Sequence, residues 1–144
     1  YVGMKELMKT AYYADKLPQY EEDLKNGVRK MVRWRTAFYT IRKLIKKYPI
    51  RAVIAHNAKF DISFIEMAMK KYGLGEFKNT VIDTLELSRV IDQGFARHGL
   101  SALVKRYNVP WEEDAHHRAD YDSEGTALIF DKMLRKLELN NSDT

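Results

Sequence analysis

Cysteine is absent from this chain of 144 residues, so it has no disulfide framework and no thiolate metal site. No run of apolar residues is long enough to cross a bilayer, and the N-terminus lacks the charged-then-apolar pattern of a secretory signal. These absences fit an intracellular protein. Proline is scarce: Pro18, Pro49 and Pro110 are the only three, and each sits where a helix is expected to stop or a turn to form. The most informative absence is of negative charge. Between Leu24 and Phe60 there is no acid, while Lys25, Arg29, Lys30, Arg33, Arg35, Arg42, Lys43, Lys46, Lys47, Arg51 and Lys59 are all basic. The net charge is only +5, so the remainder of the chain is net acidic. Such a block reads either as a solvated helix face or as a surface for the phosphates of a polyanionic partner. The chain also opens on Tyr1 rather than Met, from which we expect a longer parent with residues upstream.

What is present has the composition of an ordinary globular domain, 45% apolar and 31% charged, with length enough for one hydrophobic core. Residues 4–14 suit a short helix ended by Asp15-Lys16-Leu17-Pro18, and Gln19 to Gly27 reads as a polar loop or frayed turn. From Val28 to Tyr48 apolar side chains recur every three or four positions, which predicts a long amphipathic helix stopped by Pro49. Trp34, on or beside that stripe, is expected in the core rather than on a stacking platform. A strand over Ile50–Ala55 and a helix from Ala58 to Tyr72, closed by Gly73 and Gly75, follow. A second short strand, Thr80-Val81-Ile82, leads through Asp83-Thr84 to helices over 85–91 and 100–107. The last helix is expected from about Ala119 to Leu137, with a polar, disordered tail after it. Strands alternating with helices predict an α/β domain with parallel pairing. Two short strands do not make a stable sheet, so either the fold is mostly helical or its main sheet lies elsewhere.

Two carboxylates stand out. Asp61 falls in the first turn of its helix, on the stripe Asp61, Ile65, Ala68, Tyr72, with Asn57 placed to cap that turn through its side chain. Asp122 shares a stripe with Thr126, Ile129 and Met133 on the last helix. Carboxylates on such faces are costly to bury unless a cation or donor meets them, and two of them can converge on a hard divalent cation. His116-His117-Arg118 stands just before the second. A histidine there has three readings: general base, metal ligand, or a helix-entry residue satisfied by hydrogen bonds. His56, beside a strand end, can equally bond to backbone.

The segment His56-Asn57-Ala58-Lys59-Phe60-Asp61 resembles the second motif of the DEDDh 3′–5′ exonucleases, His-Asn-x-x-Phe-Asp after a strand and opening a helix. His117-Arg118-Ala119-Asp120-Tyr121-Asp122 matches their third motif, His-x-Ala-x-x-Asp. Between them, Val81 to Arg89 resembles the family's strand ending in Asp-Thr, and Gly99-Leu100-Ser101-Ala102-Leu103 the stretch before its next helix. The similarity is greatest to the proofreading exonucleases of bacterial DNA polymerase III and covers roughly Pro49 to Leu137. It implies a ribonuclease H-like α/β fold, helix-rich here because the N-terminal antiparallel strands of that fold are not found in the sequence. Residues 1–49 would then be a helical N-terminal stretch, 50–138 the C-terminal part of an exonuclease domain, and 139–144 the tail.

The resemblance also assigns roles. Such enzymes hydrolyse terminal nucleotides from a single-stranded 3′ end with two Mg²⁺ or Mn²⁺ ions. Asp122 would be a direct metal ligand, and Asp61 would help hold the metal through coordinated water. His117, rather than His116, would be the general base on the attacking water, a task suited to a pKa near neutrality. Asn57, Phe60 and His56 would border the terminal nucleotide. The family's first motif, Asp-x-Glu on an opening strand, does not precede Asp61, and the nearest acids, Glu21-Glu22-Asp23, have no strand before them. The metal site of this chain is therefore expected to be incomplete and its activity alone impaired. The implied partners are DNA (RNA being legible neither way) and a replicative polymerase, with no membrane, in the cytoplasm of a bacterial or phage-infected cell. The alternatives are a non-catalytic nucleic-acid-binding or polymerase-interaction module on the same frame, and a helical structural protein with accidental motifs.

Overall fold

The computed structural model describes residues 14, 16–110 and 119–142. Among the described residues six helices and two strands follow in order: α1 Leu17–Lys25, α2 Trp34–Lys47, β1 Ala52–Ala55, α3 Ala58–Tyr72, β2 Thr80–Asp83, α4 Thr84–Ile91, α5 Leu100–Arg106 and α6 Ala119–Ser142. They fall into two compact units, Tyr1–Pro49 with Ala68–Gly75, and Ile50–Met67 with Glu76–Thr144. The helix expected over 4–14 lies outside the described residues.

In the first unit the sequence-based elements are displaced. The stretch expected as a loop from Gln19 is helical in α1, because Pro18 occupies the first turn, where its missing N–H costs nothing. The long helix expected from Val28 starts only at Trp34. Gly27 ends α1 in the left-handed region at φ 73°, and the chain then folds back on α1. Arg29 N–H donates to the Asp23 carbonyl at 3.0 Å and its side chain to the Asp23 carboxylate at 2.7 Å. The apolar spacing of Val28, Met31 and Val32 therefore carries no helix, and all three are exposed. Trp34, expected in the core, is 47% exposed and stacks on Phe38 with centroids 6.0 Å apart. Phe38 in turn stacks on Tyr72 at 6.4 Å.

The second unit is built on a parallel pair. Ala52, Val53, Ile54 and Ala55 of β1 stand opposite Thr80, Val81, Ile82 and Asp83 of β2, with α3 as the crossover that a parallel connection requires. These two strands are the whole sheet among the described residues. Helix α3 ends as its sequence predicts: Gly73 takes φ 63°, its N–H bonds the Lys70 carbonyl and Leu74 N–H reaches Met69. This six-to-one, five-to-two closure satisfies two carbonyls that the helix leaves without partners. The core of the unit is Leu103, Val104, Val109, Ile129 and Met133, flanked by Leu87, Ile91, Leu100 and Tyr107. Helix α6 thus packs on α4, α5 and β1. It runs to Ser142, past the expected end at Leu137, with no proline or glycine after Gly125 to break it.

Under this core lies a buried charge cluster. The Asp92 side chain, fully buried, accepts from Arg106 at 2.7 Å, from Lys136 at 2.7 Å and from the Tyr107 hydroxyl at 3.0 Å. Burial raises the Asp92 pKa, but the bonds from Lys136, Arg106 and Tyr107 outweigh it and hold the carboxyl below the usual range. Burial first, then the Asp92 carboxylate, push the Tyr107 phenol well above its ordinary value. One carboxylate at the C-cap of α4 ties α5 and α6 together.

Candidate active site

Ligand sites in parallel α/β units form beyond the carboxyl ends of the strands, where loops diverge and helix N-termini point inward. Here β1 ends at Ala55 and β2 at Asp83, and the register sets these two residues side by side. The turn after β1 needs a left-handed residue, and Asn57 supplies it at φ 64°, a conformation asparagine tolerates better than most side chains. The first-turn N–H groups of α3 are met across the sheet. Asp83 accepts from Asn57 N–H at 2.9 Å and from Ala58 N–H at 2.8 Å, and also caps α4 through Leu85 N–H at 2.9 Å. The expectation that the Asn57 side chain caps α3 is therefore replaced by a carboxylate from β2.

This clamp fixes where α3 starts and so where Asp61 projects. Asp61, expected on a buried stripe, is exposed toward a cleft of about 500 Å³, within the usual range for small-ligand sites. Protein packed around the carboxyl raises its pKa; a hydrogen bond from its own backbone N–H opposes this, and the Asp83 charge adds to it. Asp122, in the first turn of α6, lines the same cleft, as do His56, Asn57 and Phe60. Carboxylates 61 positions apart thus come together on one wall system, through the packing of α6 against β1.

His56 is held from behind. Its Nδ1 lies 3.0 Å from the Thr84 hydroxyl, whose proton is directed to the Ala55 carbonyl at 3.2 Å. With that proton committed, the network assigns Nδ1 as the donor and leaves Nε2 as an acceptor. Burial pushes the His56 pKa down, with Asp83 pulling the other way, so the ring is neutral near pH 7. Phe60 is 62% exposed and packs edge-on against Phe64, centroids 5.0 Å apart, presenting an aromatic face to the cleft. His117, with His116 and Arg118, lies outside the described residues.

The donor set is oxygen-rich, and two carboxylates with substrate phosphate and water are what Mg²⁺ characteristically takes. Asp61 and Asp122 therefore fit a hard divalent cation in kind. Among the described residues no group of three or more His, Asp or Glu side chains converges on one point. Asp23, from the acidic cluster nearest the expected first motif, is engaged by Arg29 at 2.7 Å and Gln19 at 2.9 Å. Sequence reasoning missed Asp83 and Thr84 as parts of the site. Their signal was the strand ending in Asp-Thr, a pattern legible as a cap but not as a clamp on another helix.

A parallel β-α-β unit with a cleft at the carboxyl edge of its strands defines an α/β domain of the kind that places its ligand sites there. The chain belongs to the exonuclease family (RNase_T), whose sequence model matches residues 13–130, and its architecture is the helix-rich, ribonuclease H-like α/β arrangement. It is 52% identical over 85 residues to the DNA polymerase III PolC-type of Staphylococcus saprophyticus, and 49% identical over 85 residues to that of Staphylococcus aureus. Those 85 residues are 59% of this chain and 6% of either relative. No solved structure matches the chain. Among the described residues no helix is long and apolar enough to cross a membrane.

Proposed function

We propose that this chain carries part of the active site of a 3′–5′ exonuclease that removes terminal nucleotides from DNA, of the kind that proofreads for a polymerase III. The observation that carries the reading is the meeting of Asp61 and Asp122 in one cleft with His56, Asn57 and Phe60. The polymerase setting is supported by the PolC-type relatives. In this reading Asp61 and Asp122 hold a divalent cation, Mg²⁺ or Mn²⁺. The bound metal would supply an activated water and neutralise charge on the leaving 3′ oxygen.

The chain's own groups do the rest. Neutral His56 lines the cleft with its ring fixed through Nδ1 by Thr84, which leaves Nε2 as an acceptor suited to a sugar hydroxyl. The exposed face of Phe60 offers a platform for the terminal base, an interaction worth about 1–3 kcal/mol per stacked base. Asp83 holds the turn that aims both residues. His117 takes the proton from the attacking water.

The test is degradation of a 5′-labelled single-stranded oligonucleotide by the polypeptide that contains this sequence, with Mg²⁺ or Mn²⁺. Shortening from the 3′ end by wild type, and its loss in Asp122→Ala at unchanged thermal stability, is expected. No shortening with either metal would refute the reading.

A further inference from the structure

The basic block of the sequence becomes a defined surface in α2. Arg35, Tyr39, Arg42 and Lys46 recur at steps of four, three and four, so they form one stripe, about 16 Å long at the helical rise. Lys43 and Lys47 follow one position on and widen it. Arg35, Lys43, Lys46 and Lys47 are exposed, Arg42 is half-buried beside Gly75, and Tyr39 is 57% exposed in the middle of the stripe. Some cations elsewhere pair with carboxylates: Arg29 with Asp23, Lys78 with Glu76, Arg89 with Glu86, Arg135 with Asp131. Among the described residues none of the cations of α2 does so, Lys47 resting instead over the ring of Tyr48.

The opposite arc of α2 is apolar: Phe38 stacks between Trp34 and Tyr72, while Trp34, Ile41 and Leu44 stay exposed. The cationic arc has one aromatic set among its charges, and such a combination suits a nucleic-acid strand: phosphates on the cations and a base on the ring.

We propose that the face of α2 formed by Arg35, Tyr39, Lys43, Lys46 and Lys47 is a nucleic-acid-binding surface that contacts the phosphate backbone without reading sequence. It shares no residue with the cleft. The choice of nucleic acid over another polyanion rests on the exonuclease reading above, while the surface stands on its own geometry.

The experiment measures binding of the full chain to a fluorescein-labelled single-stranded oligonucleotide by anisotropy, with EDTA present, across a salt series. Four phosphate contacts contribute about 2.8 to the magnitude of the log–log salt slope, at roughly 0.7 each. The variant Arg35→Gln/Lys43→Gln/Lys46→Gln/Lys47→Gln is expected to lose most of that slope and to bind at least about tenfold more weakly at low salt. Circular dichroism establishes its fold; if it does not fold, the single variants Lys43→Gln and Lys46→Gln are each expected to lower the slope by about 0.7. An unchanged slope overturns the proposal. So does a variant that loses binding to phosphatidylserine vesicles while retaining that to the oligonucleotide. Hydrolysis of a chromogenic thymidine phosphodiester by the polypeptide that contains this sequence, with Mg²⁺ or Mn²⁺ and no EDTA, separates the two readings. If no hydrolysis occurs but the slope falls, the exonuclease reading fails and the surface stands. Hydrolysis with an unchanged slope overturns the surface alone.

Discussion

Asp92 shows how one side chain can govern a whole unit. Its carboxylate is fully buried, yet it holds Arg106, Lys136 and Tyr107 at once, so its removal leaves two cations facing a site built for an anion. Breaking a buried pair from one side costs about 3–5 kcal/mol, more than replacing the whole pair by apolar groups. Asp92→Asn is therefore expected to lower unfolding free energy by about 3 kcal/mol or more, measured by urea denaturation at neutral pH. The pH dependence has a definite sign. Because the folded pKa is depressed, the group's contribution is complete above its unfolded value of about 3.9 and is lost as pH falls through the folded value. Stability of wild type should thus fall across the acid range more steeply than that of Asp92→Asn. Parallel acid profiles would show that the cluster is not coupled to folding. Nothing in the sequence isolates Asp92, since its three partners lie 14, 15 and 44 residues away on other elements.

Helix α3 shows how an element is positioned from outside its own sequence. Its length and its glycine closure were legible, because Gly73 and the spacing from Asp61 to Tyr72 are local signals. Its start was legible too, but not the means: the capping oxygens come from Asp83, 25 and 26 residues on. The error at α2 has the same origin. Apolar spacing continued back to Val28, while the fold-back bonds of Arg29 to Asp23 overrode it. We predict that Asp83→Ala destabilises the protein by roughly 1–2 kcal/mol, as loss of a capping side chain does. Hydrogen exchange at the amides of Asn57, Ala58 and Leu85 should accelerate together. If only Leu85 responds, Asp83 is a cap for α4 and nothing more.

For the whole molecule, the helix-rich α/β class with its parallel strand pair was legible in the sequence. The motif around Asp61 and the stripe bearing Asp122 each announced a carboxylate, and both line the same cleft. The division into units was less visible, because α3 is continuous in sequence while its last turns group with residues before β1. The central claim is that α3 and α6 jointly hold one divalent cation, and Mn²⁺-induced broadening of amide NMR signals tests it directly. Sub-stoichiometric Mn²⁺ should broaden signals around Asp61 and around Asp122 at the same concentration. Asp122→Asn should abolish both effects. Broadening confined to one helix, or surviving at Asp61 when Asp122 is replaced, would contradict a shared site.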